Sequence, residues 1–234
     1  MEKTIFYTPD IAVSTELPEE EGKHAVRVLR KTEGDEIYLT DGKGHFYDAK
    51  IIEANPKHCF VEIANRIEAP KNWNFNLQIA FAPTKNIDRI EWFAEKATEI
   101  GIDHFSPVLC RYSERKEIKL PRIEKILVSA MKQSQKAILP QLDEMIPFAK
   151  FIQQPFEGRK FIAHCYDGEK SLLKDTYHKG ENVLILIGPE GDFSEEEVQK
   201  AIEAGFEPIS LGESRLRTET AALVACHSIH ALNW

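Results

Sequence analysis

The 234-residue sequence predicts an α/β protein in two parts: a small N-terminal β-barrel, residues 1–72, and a larger C-terminal domain on a mostly parallel sheet, residues 73–234. Three observations carry this expectation. Short strand-like pieces separated by turn residues fill positions 37–67. From Leu77 onward, strands alternate with long helical patterns. Finally, Val183–Ile187 is an aliphatic run suited to a strand buried on both faces.

In the first part the pieces are Ile37–Thr40, Phe46–Ile52 and Cys59–Ile63, broken by Asp41-Gly42-Lys43-Gly44 and Asn55-Pro56. The stretch from Glu68 to Asn74 interrupts periodicity and marks the boundary near residue 72. Leu77–Ala82 then reads as a strand. Asp88 stands as an N-cap with Glu91 three residues on, and Ile90, Phe93, Ala94, Ala97 and Ile100 form a helical stripe stopped by Gly101. Ile102–Leu109 is a further strand, Pro121 opens a helix, and Phe161–Cys165 resumes sheet character. After Val183–Ile187, Ser194 and Glu197 make a capping box that starts a helix ending at Gly205, and Phe206–Leu211 enters another strand. Loss of the Ser194 cap costs about 1 kcal/mol.

Composition narrows the function classes. Gly and Pro number only 12 each, and 42% of residues are hydrophobic, which excludes disordered and fibrous classes. No run approaches the roughly 20 apolar residues of a membrane span, so a soluble, cytoplasmic protein without a membrane partner is expected. The four cysteines are scattered without a C-x-x-C pair, which argues against a metal site and for buried structural thiols. The net charge of −8 argues against a surface that is basic throughout; residues 1–72 carry 10 basic against 14 acidic residues, and the remainder 20 against 24. Basic clusters must therefore be local.

Two loops concentrate unusual residues. Gly188-Pro-Glu-Gly-Asp192 fits neither the P-loop nor the G-x-G-x-x-G spacing, so it does not read as a phosphate cradle or as part of a dehydrogenase. It is either a tight turn delivering a capped helix or a close backbone approach to a ligand. The second loop, Gly212–Thr220, sets Arg215, Arg217 and Glu219 against a helix, capped by Thr218 or Thr220, whose Ala221–Cys226 run is apolar on all sides. Charges so placed need partners or a ligand, and an Arg217 pair with Glu219 or Glu190 competes with a functional role.

Taken together, Ile187-Gly-Pro-Glu-Gly191 and Leu211-Gly-x-x-x-Leu-Arg-Thr-Glu-Thr-Ala221 resemble the RsmE family of 16S ribosomal RNA (uracil-N3)-methyltransferases of the SPOUT class. The resemblance runs almost the full length. Its other anchors are His24-x-x-Arg-Val-Leu-Arg30 with Gly34-Asp35, Lys85 to Arg89, Lys96–Gly101, and Gln133-Ser134 with Pro140. Asp192 stands where the family pattern has a second glycine, Ser214 replaces an arginine, and Lys132 and Lys136 replace a glutamate and an arginine.

The resemblance implies a PUA-like barrel, a SPOUT domain with a trefoil knot, a homodimer, and S-adenosyl-L-methionine as methyl donor. It places the donor on Leu186, Ile187, Gly188, Pro189, Glu190, Gly191, Leu211, Gly212, Leu216 and Arg217, with Leu216 against the adenine. The implied partner is 16S ribosomal RNA or the small ribosomal subunit. Methyl transfer from a sulfonium depends chiefly on alignment and needs no metal. Uracil N3 must lose a proton, so Arg217 is the candidate to stabilise the resulting anion, and Glu219 and Glu190 are candidates for the base. His24, Arg27, Arg30 and Lys31 follow a helix start at Pro18 and form a candidate RNA-binding ridge, with Val26 and Leu29 facing inward; a solvated helix face is the plain alternative. A non-catalytic RNA-binding assembly factor of the same fold is the competing function.

Overall fold

A computed structural model describes residues 4–234. The chain divides into two compact units: one runs to Trp73 and includes Val128–Leu139, the other comprises Asn74–Leu127 and Pro140–Trp234. The elements of the N-terminal stretch are β1 (Ile5–Tyr7), α1 (Glu19–Lys23), β2 (Glu36–Thr40), β3 (His45–Ala54) and β4 (Cys59–Glu68). These strands form one sheet in the order β1-β2-β3-β4, with β1 parallel to β2 and the remaining pairs antiparallel. Alternation along the strands buries Ile37, Leu39, Ala49, Ile51, Cys59 and Val61 in a single core with Phe6 and Leu17.

The hairpin between β2 and β3 is held by one carboxylate. Asp41 Oδ1 accepts the Lys43 and His45 amides at 2.7 and 3.2 Å. Its Oδ2 receives the Tyr47 hydroxyl at 3.1 Å and lies 2.8 Å from His45 Nδ1. These hydrogen bonds hold the Asp41 carboxyl below its ordinary value despite the opposing cost of burial.

The rest of the chain supplies β5 (Leu77–Phe81), α2 (Ile87–Ile100), β6 (His104–Leu109), α3 (Leu120–Gln133), β7 (Gln141–Leu142), β8 (Ile146–Pro147), α4 (Phe148–Phe151), β9 (Arg159–Ala163), β10 (Ser171–Leu172), α5 (Leu173–Thr176), β11 (Val183–Ile187), α6 (Glu195–Glu203), β12 (Glu207–Ser210) and α7 (Thr218–Asn233). Eight strands form one sheet, β10-β12-β9-β11-β5-β6-β7 with β8 beside β6, and every pairing is parallel. Strand β11 lies between β9 and β5, and all five of its residues are buried. Each such side chain contributes about 1.5–3 kcal/mol of burial. Leu184 and Leu186 join Ala80, Ile162, Phe193 and Phe206 in one core. Phe81, Phe93 and Phe105 form an edge-to-face ladder with centroids 5.4 and 5.5 Å apart. At the other end of α7, His230 Nε2 donates to the Gly101 carbonyl at 2.7 Å, which seals the end of α2.

Several expectations are corrected here. The N-cap of α2 is Asn86, whose side chain accepts the Asp88 amide at 3.1 Å; Asp88 lies inside the first turn, and Glu91 pairs with Arg122 instead of closing a capping box. The capping box at Ser194 and Glu197 is present in full. Helix α7 buries one face, through Ala222, Ala225, Cys226, Ile229 and His230, while Leu223 and Val224 are half-buried, so it is not covered all round within one chain. Segment 128–139, which the sequence reading places in the second domain, packs with the first unit. Lys132 Nζ reaches Glu21 at 2.6 Å, and the hairpin glycine Gly44 donates to the Ala137 carbonyl at 2.8 Å. A cation at position 132 is thus matched by an acidic partner far away in sequence.

Candidate active site

Strands β12, β9 and β11 are neighbours in a parallel sheet, so the segments following their last residues, Ser210, Ala163 and Ile187, emerge at the same carboxyl edge. In open parallel sheets that edge is where ligands bind. The loop after β11 approaches so closely that a Cβ at Gly188 would come within 3.1 Å of the Phe193 ring. Gly212, in the loop after β12, has φ 132°, a conformation that favours glycine.

The loops are tied together by long-range hydrogen bonds. Thr218 Oγ1 donates to the Gly188 carbonyl at 3.0 Å, a buried bond joining the start of α7 to the loop after β11. The expected capping role of Thr218 or Thr220 is therefore replaced: Arg217 occupies the N-cap without a side-chain cap, and the Thr218 hydroxyl serves the neighbouring loop. The Cys165 amide donates to Asp192 Oδ2 at 2.7 Å, linking the loops after β9 and β11. Asp192 adopts φ 65°, and its Oδ1 accepts the Phe193 amide at 2.8 Å. An aspartate tolerates this left-handed conformation through such local bonding, which explains how it stands in for glycine.

Between the loops lies a cavity of about 350 Å³, lined by His164, Cys165, Leu211, Gly212, Arg215 and Leu216 among others. Its size falls within the usual range of small-molecule sites. Of the residues expected to hold a donor, Leu211, Gly212 and Leu216 line it. Leu186 and Ile187 are the buried last residues of β11, and Gly188, Pro189, Glu190 and Gly191 form the adjoining loop outside this lining. Arg217 is exposed just ahead of α7 and has no ion-pair partner among the described residues. The anticipated pairing of Arg217 with Glu219 or Glu190 is not formed. Glu190 Oε1 accepts the Lys85 amide at 3.0 Å, and Glu219 Oε1 lies 3.8 Å from Arg89 Nε. The Glu219 side chain is only 9% exposed, and its Oε2 has no hydrogen-bond partner among the described residues.

The cavity-wall residues beyond the expected set include His164, Cys165 and Lys170. The first two follow directly on β9, a position that a strand assignment over Phe161–Cys165 conceals. Lys170 Nζ donates to the His164 and Tyr166 carbonyls at 2.9 and 2.5 Å and so folds this loop onto itself. Burial, aided by the Lys170 charge, lowers the pKa of His164 and favours neutral imidazole. Burial, with the Asp192 carboxylate beside it, raises that of the Cys165 thiol. Cys59, Cys110 and Cys226 are buried free thiols, whereas Cys165 is exposed, contrary to the expectation for all four.

The basic ridge of the first unit takes a different form from that expected. Helix α1 gives way at His24–Val28 to a π-helical turn, and Arg30 has φ 55°. The register shift turns Ala25 inward and leaves Leu29 exposed. Arg27 and Arg30 are exposed, Lys31 is half-buried with Nζ 3.3 Å from the Glu36 carbonyl, and His24 lies against Phe6 with ring centroids 5.7 Å apart.

A family described as RNA methyltransferase domain matches residues 71–230, and one described as RNA methyltransferase PUA domain matches residues 17–64. The chain belongs to the RNA methyltransferase family. The fold superposes with TM-score 0.93 on a probable rRNA-methyltransferase from Porphyromonas gingivalis, 48% identical with 98% of each chain covered. It also superposes, with TM-score 0.87 and 28% identity over 99% of this chain and 98% of the other, on ribosomal RNA small subunit methyltransferase E from Neisseria gonorrhoeae bound to S-adenosyl methionine. The enzyme of that name from Bacillus subtilis is 27% identical over 90% of this methyltransferase and 87% of its own length. Among the described residues no helix is long and apolar enough to cross a membrane, and no cluster of three or more His, Cys, Asp or Glu is arranged to hold a metal ion.

Proposed function

We propose that this chain is a cytoplasmic homodimeric enzyme that methylates N3 of one uridine of 16S ribosomal RNA in the small subunit, with S-adenosyl-L-methionine as donor. The observation that carries the reading is the cavity between the loops after β9 and β12, tied to the Gly188 loop by Thr218 and Asp192. The likeness to a methyltransferase E bound to S-adenosyl methionine supports the donor, and the matched RNA methyltransferase and PUA domains support the substrate class. On the same reading, residues 1–72, with Val128–Leu139 joined to them, form a PUA-like barrel unit, and the rest of residues 73–234 a SPOUT domain with a trefoil knot. The half-buried Leu223 and Val224 of α7 are the residues suited to a subunit contact.

The cavity fits the donor in chemistry as well as size. Leu211 and Leu216 offer apolar walls for a purine, and the backbone from Leu211 to Leu216, with Gly188 to Gly191 adjoining, offers amides and carbonyls. Leu186, Ile187 and Pro189 are buried at the end of β11 and in the loop that follows it. Bound there, the donor supplies a methyl group carried on a cationic sulfur. Glu190, held by the Lys85 amide, places a carboxylate near that charge. Arg217 stabilises the negative charge that develops on the uracil ring as N3 loses its proton. Glu219, whose buried Oε2 has no hydrogen-bond partner among the described residues, and the exposed Glu190 are the candidates to accept that proton. Arg27 and Arg30, with Lys31 and His24 beside them, contact RNA phosphates.

The deciding experiment is mass mapping of small-subunit ribosomal RNA from cells lacking the protein, together with radiolabel transfer by the purified chain. Loss of one methyl from a single uridine, restored by the purified protein, is the expected result. Donor binding without transfer would favour the assembly-factor reading instead.

A further inference from the structure

We infer that Tyr112, with Arg111 beside it, forms a stacking shelf for an unpaired base of the RNA at the rim of the donor loops, an assignment that rests on the function proposed above. Residues Cys110–Ser113 make a tight turn directly after β6, closed by the Ser113 amide donating to the Cys110 carbonyl at 3.1 Å. Arg111 and Tyr112 occupy its two corner positions, where side chains project outward. The turn is anchored on every side. The Cys110 amide donates to Ser113 Oγ at 3.0 Å and the Arg111 amide to Glu197 Oε1 at 2.8 Å. Two residues further on, the Arg115 guanidinium donates to the Thr84 and Lys85 carbonyls at 2.9 and 2.6 Å.

This scaffold holds out an aromatic side chain that the core does not use. Tyr112 is 48% exposed, and among the described residues its hydroxyl has no hydrogen-bond partner. The Arg111 guanidinium carbon lies 5.9 Å from the ring centroid. The ring is joined to the candidate site by close packing, since a Cβ at Gly191 would stand 3.3 Å from Tyr112 Cβ. The Lys85 whose carbonyl is held by Arg115 also donates its amide to Glu190. One rigid assembly therefore carries an exposed ring and an arginine beside the Gly188–Gly191 loop. Exposed aromatic faces flanked by cations bind unpaired nucleobases by stacking, and an enzyme acting on a base within RNA must draw it out of its stack.

The test uses the full chain, a fluorescein-labelled single-stranded oligouridylate, and an abasic ribose-phosphate oligomer of equal length. Tyr112→Leu is expected to weaken oligouridylate binding by about tenfold, while Tyr112→Phe stays within about twofold of wild type. Binding of the abasic oligomer and of S-adenosylhomocysteine is expected to be equal in all three proteins, and the salt dependence is expected to be the same for Tyr112→Leu as for wild type. Oligouridylate binding by Tyr112→Leu equal to wild type overturns the shelf, as does an equal loss in the Phe and Leu variants or a parallel loss of abasic binding. These readouts need no methyl transfer, so their failure is distinct from a failure to methylate ribosomal RNA.

Discussion

The N-terminal sheet and the parallel sheet secure their loops with different balances of local and distant side-chain bonds. The β2–β3 hairpin is held by Asp41, whose partners Lys43, His45 and Tyr47 lie within six residues of it. The loops of the candidate active site are held by bonds spanning 27, 30 and 105 residues: Cys165 to Asp192, Gly188 to Thr218, and Lys85 to Glu190. Local ties fix the shape of the turn, and backbone bonds from Gly44 to Ala137 and from Leu139 to Gly42 then dock it. Long ties make the shape of the cavity depend on the whole sheet being assembled, and Arg217 has no ion-pair partner among the described residues.

That contrast can be tested from either side. Arg217→Ala is expected to lower methyl transfer by about 10²–10³-fold, the scale of a lost transition-state charge contact, with little change in thermal midpoint. Equal losses of activity and stability would make Arg217 structural. Asp41→Asn removes the acceptor that gathers the hairpin and is expected to cost about 1–3 kcal/mol, read by denaturant unfolding at neutral pH. Because the folded carboxyl is depressed, its contribution is present above the unfolded value of about 3.9 and is lost as pH falls from there through the folded pKa. The wild-type advantage over Asp41→Asn should therefore shrink in that acid window and hold steady at higher pH. Thr218→Val leaves the Gly188 carbonyl unpaired at nearly constant volume. It is expected to cost about 1 kcal/mol of stability and to weaken donor binding by about fivefold, measured by calorimetry. Arg27→Ala should have the mildest effect, lowering the slope of log affinity against log salt by about 1 for RNA, without altering donor affinity.

The same distinction separates what could be read in the residues from what could not. Val183–Ile187 as a buried strand, Ser194 with Glu197 as a helix start and the meander from Ile37 to Ile63 were legible because each depends on neighbours a few positions away. The α2 cap was misread by two residues because Asn86 and Asp88 are both good caps, and only the path of the loop selects between them. Helical spacing from Pro18 misplaced Leu29 because a π-helical turn shifts the register by a residue, which periodicity does not reveal. His164, Cys165 and Tyr112 belong to no spaced motif; strand order and turn geometry bring them to the carboxyl edge.

The amino-acid sequence thus determined the elements, their alternation, the two loops and the family resemblance, all of which follow from short-range preference and residue identity. Tertiary structure alone decided that Thr218 ties a loop instead of capping a helix, that Glu190 and Glu219 pair away from Arg217, and that Val128–Leu139 joins the first unit. The physical reason is that a hydroxyl, a carboxylate or a carbonyl has several possible partners of similar strength. Which one it takes depends on what the folded backbone brings within about 3 Å.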